Sequence, residues 1–315
     1  MGTYRCTKCN FSVSLDVPKC DCISGFPDLR PSESIGSNVE LLYTKIASDD
    51  LETSMQPYEA KIERAAFDLA RIERETLGKS GLCILEIGPG DGLLSEKLSN
   101  RHDLFVADLT DRYISRLEFD TGGFIADVET LVLENEFDGI VMCDVLEHVL
   151  NEGDALLSVL QALKPGGFLY LRCPGNEPLV AYARKVGSPY PFVHLRTYSR
   201  SALLRALETT GFESARSGAV RIAPTGYARR DFGIRSLRAA RSRRLLKDLE
   251  RAHHGMPGSH YERQVDRFFS EVETQWWKVG NRLPGRLFSR LSQRVWYRPS
   301  EFFAVGRKPT SETNA

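Results

Sequence analysis

Four of the seven cysteines fall within the first 22 residues, as Cys6-x-x-Cys9, ten intervening residues, then Cys20-x-Cys22. Two close thiol pairs joined by a hairpin can occupy the corners of a tetrahedron, the arrangement Zn²⁺ favours. All four thiolates would be used, so the site would be closed and structural rather than catalytic. Val13, Leu15 and Val17 alternate with polar residues, as one strand of such a hairpin would. A segment this short has too little apolar core to fold alone, and a metal would supply what packing cannot. Disulfides or unmetallated cysteines are the rival readings, and the second pair is Cys-x-Cys rather than the commoner Cys-x-x-Cys. Cys83, Cys143 and Cys173 lie in apolar runs and read as core.

A second group of residues sits around a glycine turn. The apolar run Leu82 to Ile87 leads into Gly88-Pro89-Gly90-Asp91-Gly92, and Leu93 to Leu98 then has helical spacing. Strand, glycine turn and helix open a nucleotide-binding α/β unit, with glycines where a side chain would hold the backbone off the ligand. The spacing is G-x-G-x-G, not the G-x-G-x-x-G of dinucleotide enzymes. Glu86, at the strand end, would repel a pyrophosphate. It suits a ligand with an ammonium and a sulfonium and no phosphate, and S-adenosylmethionine is that ligand. A dehydrogenase is disfavoured on the same two grounds. Asp108 ends a second apolar strand about 20 residues past the turn, where an acid can accept both ribose hydroxyls. Asp127 follows Phe124-Ile125-Ala126, placed to accept from an adenine amino group.

These residues need a sheet to hold them. Phe137 to Cys143 is a fourth strand, followed by Asp144-Val145-Leu146-Glu147-His148-Val149, read as the start of a helix. Leu163-Lys164-Pro165-Gly166-Gly167 turns into the strand Phe168 to Leu171. Ala219 to Ala223 and Glu301 to Gly306 read as further strands, the latter antiparallel. Before the sheet, Tyr58 to Leu77 places Ile62, Ala65, Leu69 and Ile72 on one face and charges on the other, an amphipathic helix. Residues 32–57 read as a linker. No run of about 18 apolar residues exists to span a membrane, and the N-terminus lacks the apolar core of a signal peptide. The expectation is a cytoplasmic protein with reduced thiols.

The stretches ILEIGPGDG, ADLT, IADVETL, FDGIVMCDVLEHV and LKPGGFLYL occur in order, and EFFAVGRKP closes the set. Together they resemble the class I S-adenosylmethionine-dependent methyltransferases, specifically the ubiquinone/menaquinone-biosynthesis-like group. SGFPDLRP, residues 24–31, resembles the end of the zinc-ribbon module found in front of many bacterial methyltransferases. The resemblance implies that Glu86, Ile87, Gly88, Gly90 and Gly92 hold the methionyl end of the cofactor. Asp108 would take the ribose, Asp127 and Val128 the adenine, and Cys143 and Asp144 would lie beside the methionyl moiety. It implies His148 and His194 as candidate catalytic residues, for a hydroxyl acceptor that needs a base. Asp144, Glu147 and His148, at i, i+3 and i+4, would share a helix face and with His194 look like the divalent-metal site of two related O-methyltransferase groups. Many relatives with LEHV bind no metal, so catalytic Mg²⁺ or Mn²⁺ is not the expectation.

The formal net charge is zero, yet residues 225–315 carry 19 Lys+Arg against 9 Asp+Glu, leaving residues 1–224 acidic. Between the last two strands the family usually has a tight hairpin; here about 75 residues intervene, too many for a plain loop. They read as helices: Tyr261, Val265, Phe268, Val272 and Trp276 form one apolar stripe, and Arg282, Arg286, Arg290, Arg294 and Arg298 repeat every four residues. Solvated helices, a lid for an anionic acceptor, a patch facing an anionic membrane, and an RNA grip all fit. The reading is an α/β enzyme with a seven-stranded, mostly parallel Rossmann-like sheet. Its parts are a zinc-ribbon-like module (1–31), linker (32–57), cofactor-binding core (58–224), basic helical insertion (225–299), last core strand (300–309) and tail (310–315). It would methylate oxygen on a small, lipid-linked or glycan-linked acceptor, in the cytoplasm or at the inner membrane face. RNA methylation and non-catalytic S-adenosylmethionine binding are the alternatives.

Overall fold

The structure, a computed structural model, describes residues 2–15, 20, 22, 25–32, 44, 58–119, 121–175, 195–220 and 301–310. The basic insertion, most of the linker, Val17 and His194 lie outside the described residues. The chain opens with β1 (Thr3–Arg5) and β2 (Ser12–Ser14), an antiparallel pair. Helix α1 (Tyr58–Glu75) precedes β3 (Cys83–Ile87), α2 (Leu93–Ser99), β4 (Asp103–Asp108), α3 (Asp111–Ile114) and β5 (Gly122–Ile125). A 3₁₀ turn (Val128–Thr130) leads to β6 (Phe137–Cys143), α4 (Glu152–Ala162), β7 (Leu163–Pro174), α5 (Arg200–Thr210), β8 (Glu213–Ala219) and β9 (Glu301–Arg307).

Seven strands form one sheet in the order β5-β4-β3-β6-β7-β9-β8. The first five run parallel, and β9 lies antiparallel between β7 and β8. All five residues of β3 are buried, as expected of a continuous apolar run in a sheet covered on both faces. Because strand side chains alternate, each strand divides its residues between two cores. Leu85, Ile87, Phe105, Ala107, Ile140 and Leu169 face α4 and α5, with Leu156, Val159, Leu203 and Leu207. Ile84, Val106, Val141, Phe168 and Tyr170 face α1 and α2, with Ala65, Ile72, Leu94 and Leu98. Asn151 caps α4 by accepting from the N–H groups of Gly153 and Asp154, and Ser199 caps α5.

Three expectations are corrected here. The strand expected over 219–223 is β8 at Glu213–Ala219, so the chain joins the sheet earlier. In α1, Ala65 and Ile72 are buried, but Ile62 is exposed, and the charged Arg64, Asp68 and Glu75 lie on the buried face. Lastly, residues 144–149 are a turn rather than the start of a helix. Asp144 adopts φ 57°, a left-handed conformation that breaks the chain direction straight after β6. No helix among the described residues is long and apolar enough to cross a membrane.

Candidate functional site

The parallel strands end at a common edge, and a cleft of about 740 Å³, counting its open mouth, lies beyond their carboxyl ends. Ligands of such sheets bind there. Of the residues singled out from sequence, Ile87, Gly88, Gly90, Asp108, Asp127, Val128, Asp144 and His148 line it. Gly88 has φ +71°, and a Cβ there would stand 2.6 Å from the Val145 side chain. Only glycine therefore lets the turn pass so close beneath the cleft wall. Asp108 and Asp127 each accept a backbone N–H two residues on, from Thr110 (3.0 Å) and Glu129 (2.9 Å), so each acid is held by its own turn. Glu129 in turn accepts from Leu150 and Asn151, both at 2.7 Å, which ties this side of the cleft to the turn that carries His148.

Glu86, Gly92 and Cys143 do not line the cleft. Glu86 shares the sheet face of Ile84, so it points at α2, where its carboxylate accepts from the Ser95 hydroxyl at 2.5 Å. Burial raises it to about 8, and nearby Asp68 and Asp91 push the same way against the Ser95 bond. Gly92 lies under Leu117, and the Cys143 thiol faces Asp68 at 3.8 Å.

The other side of the cleft rests on a charge cluster that the motifs did not reveal. Arg172 is buried and donates to Asp68 (2.8 Å), to both oxygens of Asp144 (2.8 Å each) and to Glu301 (3.4 Å). Arg64 pairs with Asp144 (2.9 Å) and Glu301 (3.1 Å), and the Tyr170 hydroxyl donates to Asp68 (2.6 Å). A signal was present in the sequence: an arginine inside the apolar run of β7, and Asp68 one turn after Arg64 on an amphipathic helix. Charged residues at buried positions demand partners. Asp144, Glu147 and His148 thus share no helix face. Asp144 is committed to two arginines; Glu147 is fully buried with neither carboxylate oxygen hydrogen-bonded; His148 stands at the cleft with its Nε2 3.9 Å from Glu147 Oε1. Burial, reinforced by Asp144, holds the Glu147 carboxyl well above its ordinary range. His194 lies outside the described residues; Leu195, which follows it, donates its N–H to the Glu147 carbonyl at 2.9 Å.

At the far end of the chain the thiols of Cys6, Cys9, Cys20 and Cys22 lie within 4.8 Å of one another, and Cys6 and Cys22 are 3.4 Å apart. Four thiolates about 2.3 Å from one tetrahedral ion would be separated by about 3.8 Å, so the set fits a zinc-type ion. Burial raises the Cys6 thiol, but the N–H of Asp28, the backbone at Cys9 and the adjacent thiols outweigh it and bring it down to about 7. Leu15 and Leu29 of this module are buried in the same core as the α4 face of the sheet.

A methyltransferase domain family matches residues 58–216, about half of the chain. The chain belongs to the class I S-adenosylmethionine-dependent methyltransferases. Curated relatives include the ubiquinone biosynthesis O-methyltransferase of Caulobacter vibrioides, 32% identical over 136 residues (39% of this chain, 54% of the relative). The same enzyme of Roseobacter denitrificans is 38% identical over 96 residues (28% and 39%). The chain spans about half the length, or less, of these relatives. Among solved structures, a chain from the complex of the Haloferax volcanii Trm112 methyltransferase activator with a methyltransferase aligns with TM-score 0.51 at 12% identity, covering 87% of this chain and 99% of that one. That likeness concerns the fold. In the present chain the matched region holds the glycine turn, Asp108, Asp127, His148 and most of the charge cluster, whereas the cysteine module lies ahead of it.

Proposed function

We propose that the protein transfers a methyl group from S-adenosylmethionine to an oxygen on a small, lipid-linked or glycan-linked acceptor. The observation that carries this reading is the cleft itself. Two acids at successive strand ends, Asp108 and Asp127, stand across a glycine turn from His148, with Asp144 between them and the charge cluster. The relatives' printed activity, O-methylation, supports oxygen as the receiving atom.

In this reading Asp108 accepts the ribose hydroxyls, and Asp127 with Val128 receives the adenine. The turn of Ile87, Gly88 and Gly90 lets backbone approach the methionyl end. Gly92 closes that turn, and Asp144 lies at the end of β6 beside the methionyl group, with Cys143 before it turned towards Asp68. Glu86 acts from beneath, hydrogen-bonded to Ser95: burial raises its carboxyl to about 8, and a cationic ligand, unlike a phosphate, would favour its ionised form. S-adenosylmethionine supplies a methyl already activated on sulfur, so the protein's work is to orient the acceptor and exclude water. His148 takes the acceptor proton, since it is the imidazole at the cleft wall. His194 remains the second candidate for that role. Cys6, Cys9, Cys20 and Cys22 hold a structural Zn²⁺ that stiffens the N-terminal module.

The basic sequence at 225–299 is proposed to face an anionic acceptor or an anionic membrane surface. The test is mass spectrometry for the gain of one methyl across extracted lipids, glycans and RNA, with S-adenosylmethionine as donor. Methylation of a lipid or glycan hydroxyl supports the proposal, and methylation of RNA replaces its acceptor. Calorimetry that finds the protein indifferent to S-adenosylhomocysteine would overturn it.

A further inference from the structure

The cysteine module is joined to the cleft by two short routes. Along the first, residues 27–29 add to the outer edge of β5. Ile125 donates its N–H to the Pro27 carbonyl (2.8 Å) and accepts from Leu29 (2.9 Å), with a parallel bridge at Asp28. Two residues beyond Ile125 stands Asp127, on the cleft wall. The Phe26 ring packs on the same strand: a Cβ built on Gly123 would lie 3.2 Å from it.

The second route passes through side chains. The Asp28 N–H donates to the Cys6 sulfur at 3.3 Å. The Asp28 carboxylate holds Arg30 in two-pronged fashion, Nε to Oδ1 at 2.9 Å and Nη2 to Oδ2 at 2.6 Å, and Lys8 reaches it at 3.2 Å. The side chains of Asp28 and Arg30 are both fully buried. Arg30 then donates through Nη1 to the carbonyl of Leu109 at 3.2 Å. Leu109 and its neighbour Asp108 both line the cleft. One guanidinium therefore spans the distance from a residue bonded to a cluster sulfur to the backbone that carries Asp108.

We infer that Arg30 is a positioning residue, and that a metal held by the four thiols and a nucleoside held in the cleft strengthen each other's binding through Asp28 and Arg30. The inference rests on the cofactor and zinc assignments proposed above. Its physical basis is the smallness of the module. Its hairpin has three residues per strand and contributes few apolar side chains to the core. An ion that draws the four thiols together would fix the Cys6 sulfur to which Asp28 donates, and through Asp28 and Arg30 the backbone at Leu109. Coupling of this kind is reciprocal: the nucleoside must raise metal affinity by the factor by which metal raises nucleoside affinity.

The experiment uses the full chain. S-adenosylhomocysteine binding is measured by calorimetry on zinc-loaded and chelator-stripped protein. Co²⁺ titration, followed by its thiolate absorption bands, is run with and without S-adenosylhomocysteine. Stripping is expected to weaken nucleoside binding about 10-fold, and the nucleoside to tighten Co²⁺ by the same factor. In Arg30→Ala, whatever its own Co²⁺ affinity, S-adenosylhomocysteine is expected no longer to change that affinity; Arg30→Lys recovers part of the mutual effect. Should Arg30→Ala fail to fold, judged by circular dichroism, the two titrations on the parent still decide. Equal nucleoside affinity in loaded and stripped protein would overturn the coupling. Failure of the zinc-loaded parent to bind the nucleoside at all would instead sink the cofactor reading.

Discussion

The two walls of the cleft are built on different plans. On the β4–β5 side, Asp108 and Asp127 are each braced by an N–H two residues along the same chain. On the β6–β7 side, Asp144 is one member of a cluster drawn from positions 64, 68, 144, 172 and 301. The first plan costs the fold little, because the braces are local and the carboxylates face the open cleft. The second buries charges that only the folded chain can compensate. The lesson is that one wall should fail by losing ligand and the other by losing the fold.

The largest expected effect follows from the second plan. Arg172→Met leaves Asp68, almost wholly buried, and Glu301 without their shared cation, and removing one partner of a buried ion pair typically costs about 3–5 kcal/mol. Urea unfolding of the variant should show that loss. A change under about 1 kcal/mol would mean that the cluster is dispensable and that the two walls do not differ in kind.

Asp108→Ala tests the other wall. A hydrogen bond to a charged acceptor contributes about 1.5–3 kcal/mol, so S-adenosylhomocysteine should bind about 10–100-fold more weakly by calorimetry. The brace at Thr110 that the fold loses contributes about 1 kcal/mol. If ligand affinity is unchanged while stability falls by several kcal/mol, the contrast between the walls is inverted.

The two plans also differ in how far the sequence discloses them. Asp108 and Asp127 were legible because each stands at the end of an apolar run and at a fixed distance from the glycine turn. The seven-stranded, mostly parallel sheet with an antiparallel last strand was legible through apolar runs and the motif set; the strand order itself comes from the structure. The Arg64–Asp68–Arg172–Glu301 cluster was not, since its members are separated by up to 237 positions and meet only when β7, β9 and α1 pack. LEHV reads as helical from its spacing, whereas Asp144 takes a left-handed conformation that breaks the chain there, with its carboxylate held by two arginines distant in sequence. Arg30 gave no signal beyond its place in a short polar stretch, because its partner Leu109 lies 79 positions away.

Glu86 lies between the two walls and offers a pH-dependent probe. Its carboxyl is raised from an ordinary 4.5 to about 8, chiefly by burial. The folded state therefore holds a proton that the unfolded chain releases. The stability this provides is complete below pH 4.5 and is lost as pH rises towards about 8. Glu86→Gln keeps an acceptor for Ser95 but cannot ionise. Across pH 5–8, urea unfolding should show parent stability falling relative to the variant, and parallel curves would remove the buried carboxylate from the account.

The smallest effect sharpens that probe. The Ser95 hydroxyl is the hydrogen-bond donor to Glu86, and by favouring the charged form it pulls down a carboxyl that burial pushes up. Ser95→Ala removes the donor and leaves a small cavity in the α2 face of the sheet. With Glu86 protonated, the lost bond is a neutral one, about 1 kcal/mol; with Glu86 ionised it is charge-assisted, about 1.5–3 kcal/mol. The variant should therefore be less stable throughout, and the gap between it and the parent should widen as pH rises from 6 to 9. The sign follows from the direction of the shift: without its donor Glu86 titrates higher still, so more stability is lost at alkaline pH. Combining Ser95→Ala with Glu86→Gln should abolish the widening while leaving a constant loss of about 1 kcal/mol, because an amide has no proton to release over this range.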